Sequence, residues 1–149
     1  MVEYVSSNGN LYAIILRSAY KAEGIKFFTP EDFSQQLGYM MRPAGYSIDP
    51  HIHNKVSREV FFTQEVLFIR TGRVRVDFYD DHATYHESRI LLKGDFILLA
   101  KGGHGFFMLE ASEIIEIKQG PFVGIHDKRR FDPVSLDCVR LSGEKGISG

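Results

Sequence analysis

The chain has 149 residues, 44% of them hydrophobic and 25% charged, with a formal net charge of -1, enough for one hydrophobic core but not two. Without a basic excess there is nothing to hold a phosphate backbone, so nucleic acid is not an expected partner. A lone cysteine, Cys138, excludes a disulfide framework. It reads as a small buried or tail residue, since no neighbouring motif activates it. No run approaches the roughly 18 apolar residues of a membrane span, and Met1-Val2-Glu3-Tyr4 lacks a basic region leading into an apolar stretch. A cytoplasmic protein without a membrane partner is expected.

In chain order, short apolar or alternating runs predict strands at Leu11–Arg17, Leu37–Met41, Glu65–Arg70, Arg73–Tyr79, Ser88–Leu92, Phe96–Leu99, Gly105–Leu109 and Ile114–Lys118. Turn residues separate them at Thr71-Gly72, Asp80-Asp81, Lys93-Gly94-Asp95, Lys101-Gly102-Gly103 and Ala111-Ser112. One helix start is visible at Thr29-Pro30-Glu31-Asp32, where Thr can cap, Pro pre-sets the first turn and two acids oppose the positive dipole end. That helix should be short and N-terminal, ending before Gly38. The Gly- and Ser-rich stretch Ser142 to Gly149 is expected to fray. The whole chain, 1–149, reads as one all-β domain of antiparallel strands with its barrel core at about 37–118. So many short strands must close into a barrel or pack as two sheets, because a long open edge invites aggregation.

Three histidines and a glutamate stand out within this pattern. His51-Ile52-His53 follows Asp49-Pro50, and residues two apart on a strand project to one face, so both imidazoles can reach one ion. Glu65 opens a strand on the same face as Leu67 and Ile69. His104 follows Gly102-Gly103 and shares its face with Phe106 and Met108.

Five residues separate Gly45 from His51-Ile52-His53, and six separate Glu65 from Gly72. Gly94 is followed by five residues, Ala100-Lys101-Gly102, one residue and His104. In these spacings the chain resembles the cupin superfamily, the first motif matching more closely than the second. Three departures accompany the likeness. Eleven residues separate His53 from Glu65, where the family has a short gap; Ala100 replaces its Pro and Met108 its Asn. The long gap reads as a hairpin extension through Val56–Thr63, and it makes Glu59 a rival to Glu65. Gly120-Pro121-Phe122 with Asp127-Lys128 is similar to the tails of small bacterial single-domain cupins.

The resemblance implies a double-stranded β-helix, the cupin jelly roll, holding one divalent transition metal on His51, His53, Glu65 and His104. Such nitrogen and oxygen donors without thiolate suit Fe, Mn, Ni, Cu or Zn. It further implies a metalloenzyme acting on a small polar or anionic metabolite, of dioxygenase, isomerase, epimerase or lyase type. A non-enzymatic small-molecule sensor and a structural dimerisation barrel are the alternatives. Substrate-binding candidates are Arg42 and Arg75, whose guanidinium forks suit carboxylate or phosphate, with Phe106 and Met108 as apolar walls. Tyr39 or Tyr46 could donate a proton, and Glu116 with Lys118 form a neighbouring pair or a solvated face. His82, His86 and His126 read as solvent-facing loop residues. Phe61-Phe62 and Val56–Val60 could cover a sheet edge or pair with a second copy, and a homodimer is expected.

Overall fold

The computed structural model describes residues 1–143. The chain opens on a hairpin of β1 (Val2–Ser7) and β2 (Asn10–Leu16), turned by Asn8 and Gly9, both at positive φ, the conformation a tight two-residue hairpin loop requires. A smaller hairpin joins β3 (Gly24–Phe27) to β4 (Gly38–Met41). The remaining strands are β5 (Glu65–Thr71), β6 (Arg73–Tyr79), β7 (Tyr85–Leu92), β8 (Phe96–Leu99), β9 (Gly103–Met108) and β10 (Glu113–Lys118). Every ladder between them is antiparallel. The strand order is β1-β2-β8-β5-β10 in a five-stranded sheet and β7-β6-β9 in a three-stranded sheet.

The two larger sheets share one core. Period-two alternation sends Leu67 and Ile69 of β5, Ile97 and Leu99 of β8, and Ala13 and Ile15 of β2 inward, with Val5 of β1 beside them. They meet Val74, Val76 and Phe78 of β6 and Leu91 of β7, with Phe106 of β9 packed alongside. Phe78, Val74 and Val76 are fully buried. Burying a side chain of this kind contributes about 1.5–3 kcal/mol, the main force holding the layers together. The link between β5 and β6 turns at Gly72, whose φ of +87° and whose approach to the Ala111 and Ser112 backbone leave no room for a Cβ.

Both sheets are also covered on their outer sides. Residues 28–37 fold over the five-stranded sheet, where Leu37, Phe28 and Phe33 pack on Ile14, Leu98 and Val66. Here the predicted helix is not formed: Thr29-Pro30-Glu31-Asp32 makes a turn instead. The reason lies in Gln36, whose side-chain amide donates to the carbonyls of Pro30, Glu31 and Phe33, acceptors that a continuing helix would have used. Thr29 caps this loop, its hydroxyl accepting from the Leu37 amide. The outer side of the three-stranded sheet is crossed by residues 131–142. The Val134 amide donates to the Tyr79 hydroxyl at 2.9 Å, and the Arg140 amide to the Tyr85 hydroxyl at 2.8 Å. Leu141 forms an isolated parallel bridge with Ser88.

That covering segment explains a charged pair in the interior. Arg75 and Asp77 lie on the β6 face opposite Val74, Val76 and Phe78, yet both are buried. Asp77 accepts two bonds from the Arg75 guanidinium, at 2.8 and 3.0 Å, and one from the Ser88 hydroxyl. The bidentate geometry offsets much of the cost of removing both charges from water.

The architecture is antiparallel and all-β, as the strand rhythm implies. The ladders form three separate sheets; among the described residues no continuous ring of hydrogen bonds closes a barrel. Helical structure among them is confined to 3-10 turns at Gly124–Asp127 and Leu136–Cys138. Cys138 is an exposed tail residue. The expectation for the chain's end lies, beyond residue 143, outside the described residues.

Candidate functional site

Glu65 is the first residue of β5, paired in register with Leu99 of β8 on one side and Lys118 of β10 on the other. His104 is the second residue of β9 and pairs with Phe78 of β6. The two therefore come from opposite sheets. Their side chains meet at one end of the sandwich, His104 Nε2 lying 3.1 Å from Glu65 Oε2. Glu65 is buried and His104 half-buried. The bond from His104 holds the Glu65 carboxyl below the usual carboxylate range, against the opposing effect of burial, and the charges of Lys118 and Lys128 act in the same direction as His104. Lys118 Nζ stands 3.9 Å from Glu65 Oε1 and 3.1 Å from Glu116 Oε1. Lys118 is thus the neighbour of Glu65 and links it to Glu116, which is itself exposed.

Glu65 and His104 line a cavity of about 680 Å³, a size suited to a small metabolite. Its floor is the bend Ala100 to Gly105, which runs close under Tyr79. Gly102 sits there at a φ of +73°, and a Cβ on it would collide with the Tyr79 carbonyl. The far wall is the C-terminal segment, contributing His126, Asp127, Lys128, Arg129, Arg130, Phe131 and Pro133. Phe61, Phe62 and Val123 form an apolar side shared with a smaller adjoining cavity of about 360 Å³. Lys101 on the rim is engaged by Asp81 at 3.5 Å and by Asn10 at 3.1 Å.

The other sequence candidates are placed differently. His51 and His53 lie in the strandless stretch 46–64, both exposed, with their ring centroids 5.1 Å apart. His51 Nδ1 is 3.0 Å from the Asp49 carbonyl. The expected strand is not formed there, since no neighbouring strand pairs with this stretch, and neither ring lines the cavity. Glu59 is exposed in the same stretch. The donor set inferred from spacing thus stands as two pairs, His51 with His53 and Glu65 with His104. Among the described residues no group of three or more His, Cys, Asp or Glu side chains gathers as it would around one ion.

Arg75 is committed to Asp77 on the outer side of β6, with its guanidinium 4.9 Å from the Phe107 ring. Arg42 is exposed and stacks over Tyr46 at 4.7 Å. Neither arginine lines the cavity. Phe106 packs against the core beside His104, their rings 5.4 Å apart, and Met108 is exposed at the far end of β9. Tyr39 packs edge-on against Tyr20, away from the cavity. His82 is exposed as expected, but His86 belongs to β7 and its ring lies against Tyr12. His126, expected only as a loop residue, lines the cavity. The residues whose role spacing did not disclose are Lys128, Arg129 and Arg130. Their basic triplet is legible in the sequence, but its place beside Glu65 depends on a non-periodic segment folding back.

No protein-family model, curated protein or solved structure matches the chain.

Proposed function

We propose that this chain takes a small polar or anionic metabolite into the cavity and acts on it, with Glu65 and His104 as the reactive end. The supporting observation is the meeting of an imidazole and a buried carboxylate, from two different sheets, at 3.1 Å on the cavity wall. A carboxylate bonded to one ring nitrogen orients the imidazole and leaves the other nitrogen free for a substrate proton or a cation.

The metalloenzyme form of this proposal follows the cupin resemblance. His51 and His53 would have to join Glu65 and His104, and the closed jelly-roll barrel belongs to the same proposal. A bound Fe, Mn, Ni, Cu or Zn ion would supply Lewis-acid or oxygen chemistry. No step is assigned to it on the present arrangement. A non-enzymatic binding module is the second reading, favoured by the separation of the two donor pairs.

Metal analysis of protein purified without chelator, as wild type, His51→Ala and His104→Ala, tests the metalloenzyme form. One equivalent of metal in the wild type, lost in both variants, is the expected result; equal content in all three removes the metal. Comparing metabolite pools with and without the protein then separates enzyme from binding module. An unchanged pool together with tight small-molecule binding favours the module.

A further inference from the structure

Most charged groups around the cavity already have partners. Lys101 is taken by Asp81, the Asp127 carboxylate accepts from the Thr63 hydroxyl, and Glu65 is held by His104 and Lys118. Lys128, Arg129 and Arg130 are different. They line the same cavity, and among the described residues none has a carboxylate within 4.0 Å. Among the described residues their side chains make one polar contact, a long one from Arg129 Nη2 to the Asp81 carbonyl at 3.5 Å.

Three exposed basic residues in a row usually form a solvated face, and in a strand the middle one would point away from its neighbours. Here the segment is not a strand, and all three residues border one concavity. The segment is also fixed at both ends. Asp127 is bonded to Thr63 on one side; Phe131 packs on Tyr79 with ring centroids 4.9 Å apart, and Val134 is bonded to the same tyrosine. Glu65, His104 and the three basic residues line one and the same space, and the charge of Lys128 is among those that hold the Glu65 carboxyl low.

We propose that Lys128, Arg129 and Arg130 form the anion-recognising lip of this cavity, so that its ligand is a metabolite carrying phosphate or carboxylate oxygens. The anionic group sits at the lip while the rest of the molecule extends between the Phe61-Phe62 side and the Glu65–His104 pair. Two guanidinium forks suit either oxyanion in a bidentate manner. This inference rests on the cavity being the ligand site, and it names the chemical class and the residues that select it.

Calorimetric titration of the full chain with inorganic pyrophosphate and, separately, with citrate tests it and distinguishes the two sources of oxyanion. The variants are Lys128→Gln/Arg129→Gln/Arg130→Gln, the single Arg129→Gln, and Arg42→Gln as an exposed cation outside the cavity. At least one probe is expected to bind the wild type, with the triple variant weakened by about tenfold or more, as loss of charge-assisted bonds implies. Arg129→Gln should show an intermediate loss and Arg42→Gln none. Failure of both probes to bind the wild type, unchanged binding by the triple variant, or an equal loss in Arg42→Gln would each overturn the lip. His104→Ala and Glu65→Gln separate this from the reading it rests on. If the lip binds anions but turnover and ligand binding are indifferent to those two changes, the reactive-pair reading fails while the lip stands.

Discussion

Replacing Asp77 by Ala isolates a question the cavity alone does not answer, namely what Arg75 is for. Asp77 and Arg75 are 3% and 7% exposed, and the substitution leaves a guanidinium without its two carboxylate bonds in an environment that water barely reaches. Removing one partner of such a pair costs about 3–5 kcal/mol, a large share of the roughly 5–15 kcal/mol that stabilises a whole domain. Replacing both at once, as Arg75→Met/Asp77→Leu, should return to within about 1 kcal/mol of the wild type, because no uncompensated charge remains. Ser88 keeps a partner in that variant, since its hydroxyl lies 2.8 Å from that of Tyr85. Urea unfolding followed by circular dichroism measures these proteins, with Arg75→Ala as the converse single removal. If Asp77→Ala costs less than about 1 kcal/mol, as an exposed ion pair would, the burial argument is refuted. If Arg75→Ala is stable but loses ligand affinity, Arg75 is the substrate residue that the sequence suggested.

Three further outcomes follow from the packing. Phe78→Ala should destabilise the protein by about 3–5 kcal/mol through the cavity left between the sheets, read from the urea midpoint. Gly72→Ala, strained by φ and crowded by the Ser112 hydroxyl and Ala111 carbonyl, should cost more than about 1 kcal/mol, whereas Gly9→Ala meets no neighbouring atom within 4 Å and carries only the backbone penalty. Tyr79→Phe removes the acceptor of the Val134 amide; that amide should exchange faster with deuterium while the core strands stay protected, and unchanged exchange would mean the segment is held elsewhere.

What could be read from the chain and what could not divide along a physical line. Arg73–Tyr79 and Phe96–Leu99 appear as strands at the predicted ends, because alternation or a short apolar run bounded by turn residues specifies a buried strand locally. Val2–Ser7 and Gly24–Phe27 escaped notice: the first carries polar residues among its apolar ones, and the second is four residues long and mostly exposed. The motif residues divide in the same way. Glu65 and His104 each head a well-marked strand, and the ladders that place those strands also bring the two side chains together. His51 and His53 depend on a long stretch pairing with something, for which spacing gives no local signal. Arg75 was ambiguous because a fork-shaped cation looks alike in sequence whether it serves a ligand or a buried carboxylate. The decisive fact, Asp77 two residues on and a covering segment more than fifty residues later, is tertiary.

Behind each member of the Glu65–His104 pair stands a residue of the shared core, Phe78 across the ladder from His104 and Leu99 across from Glu65. The imidazole and carboxylate are mounted on opposite jaws, and the interior filling sets how far apart those jaws rest. Close-packed interiors register a change of even one methylene, so resizing side chains between the layers would alter the His104–Glu65 separation at the mouth without touching a charged atom. Variation at interior positions is then a route by which the spacing of this pair could drift while every polar residue at the cavity's opening stays the same.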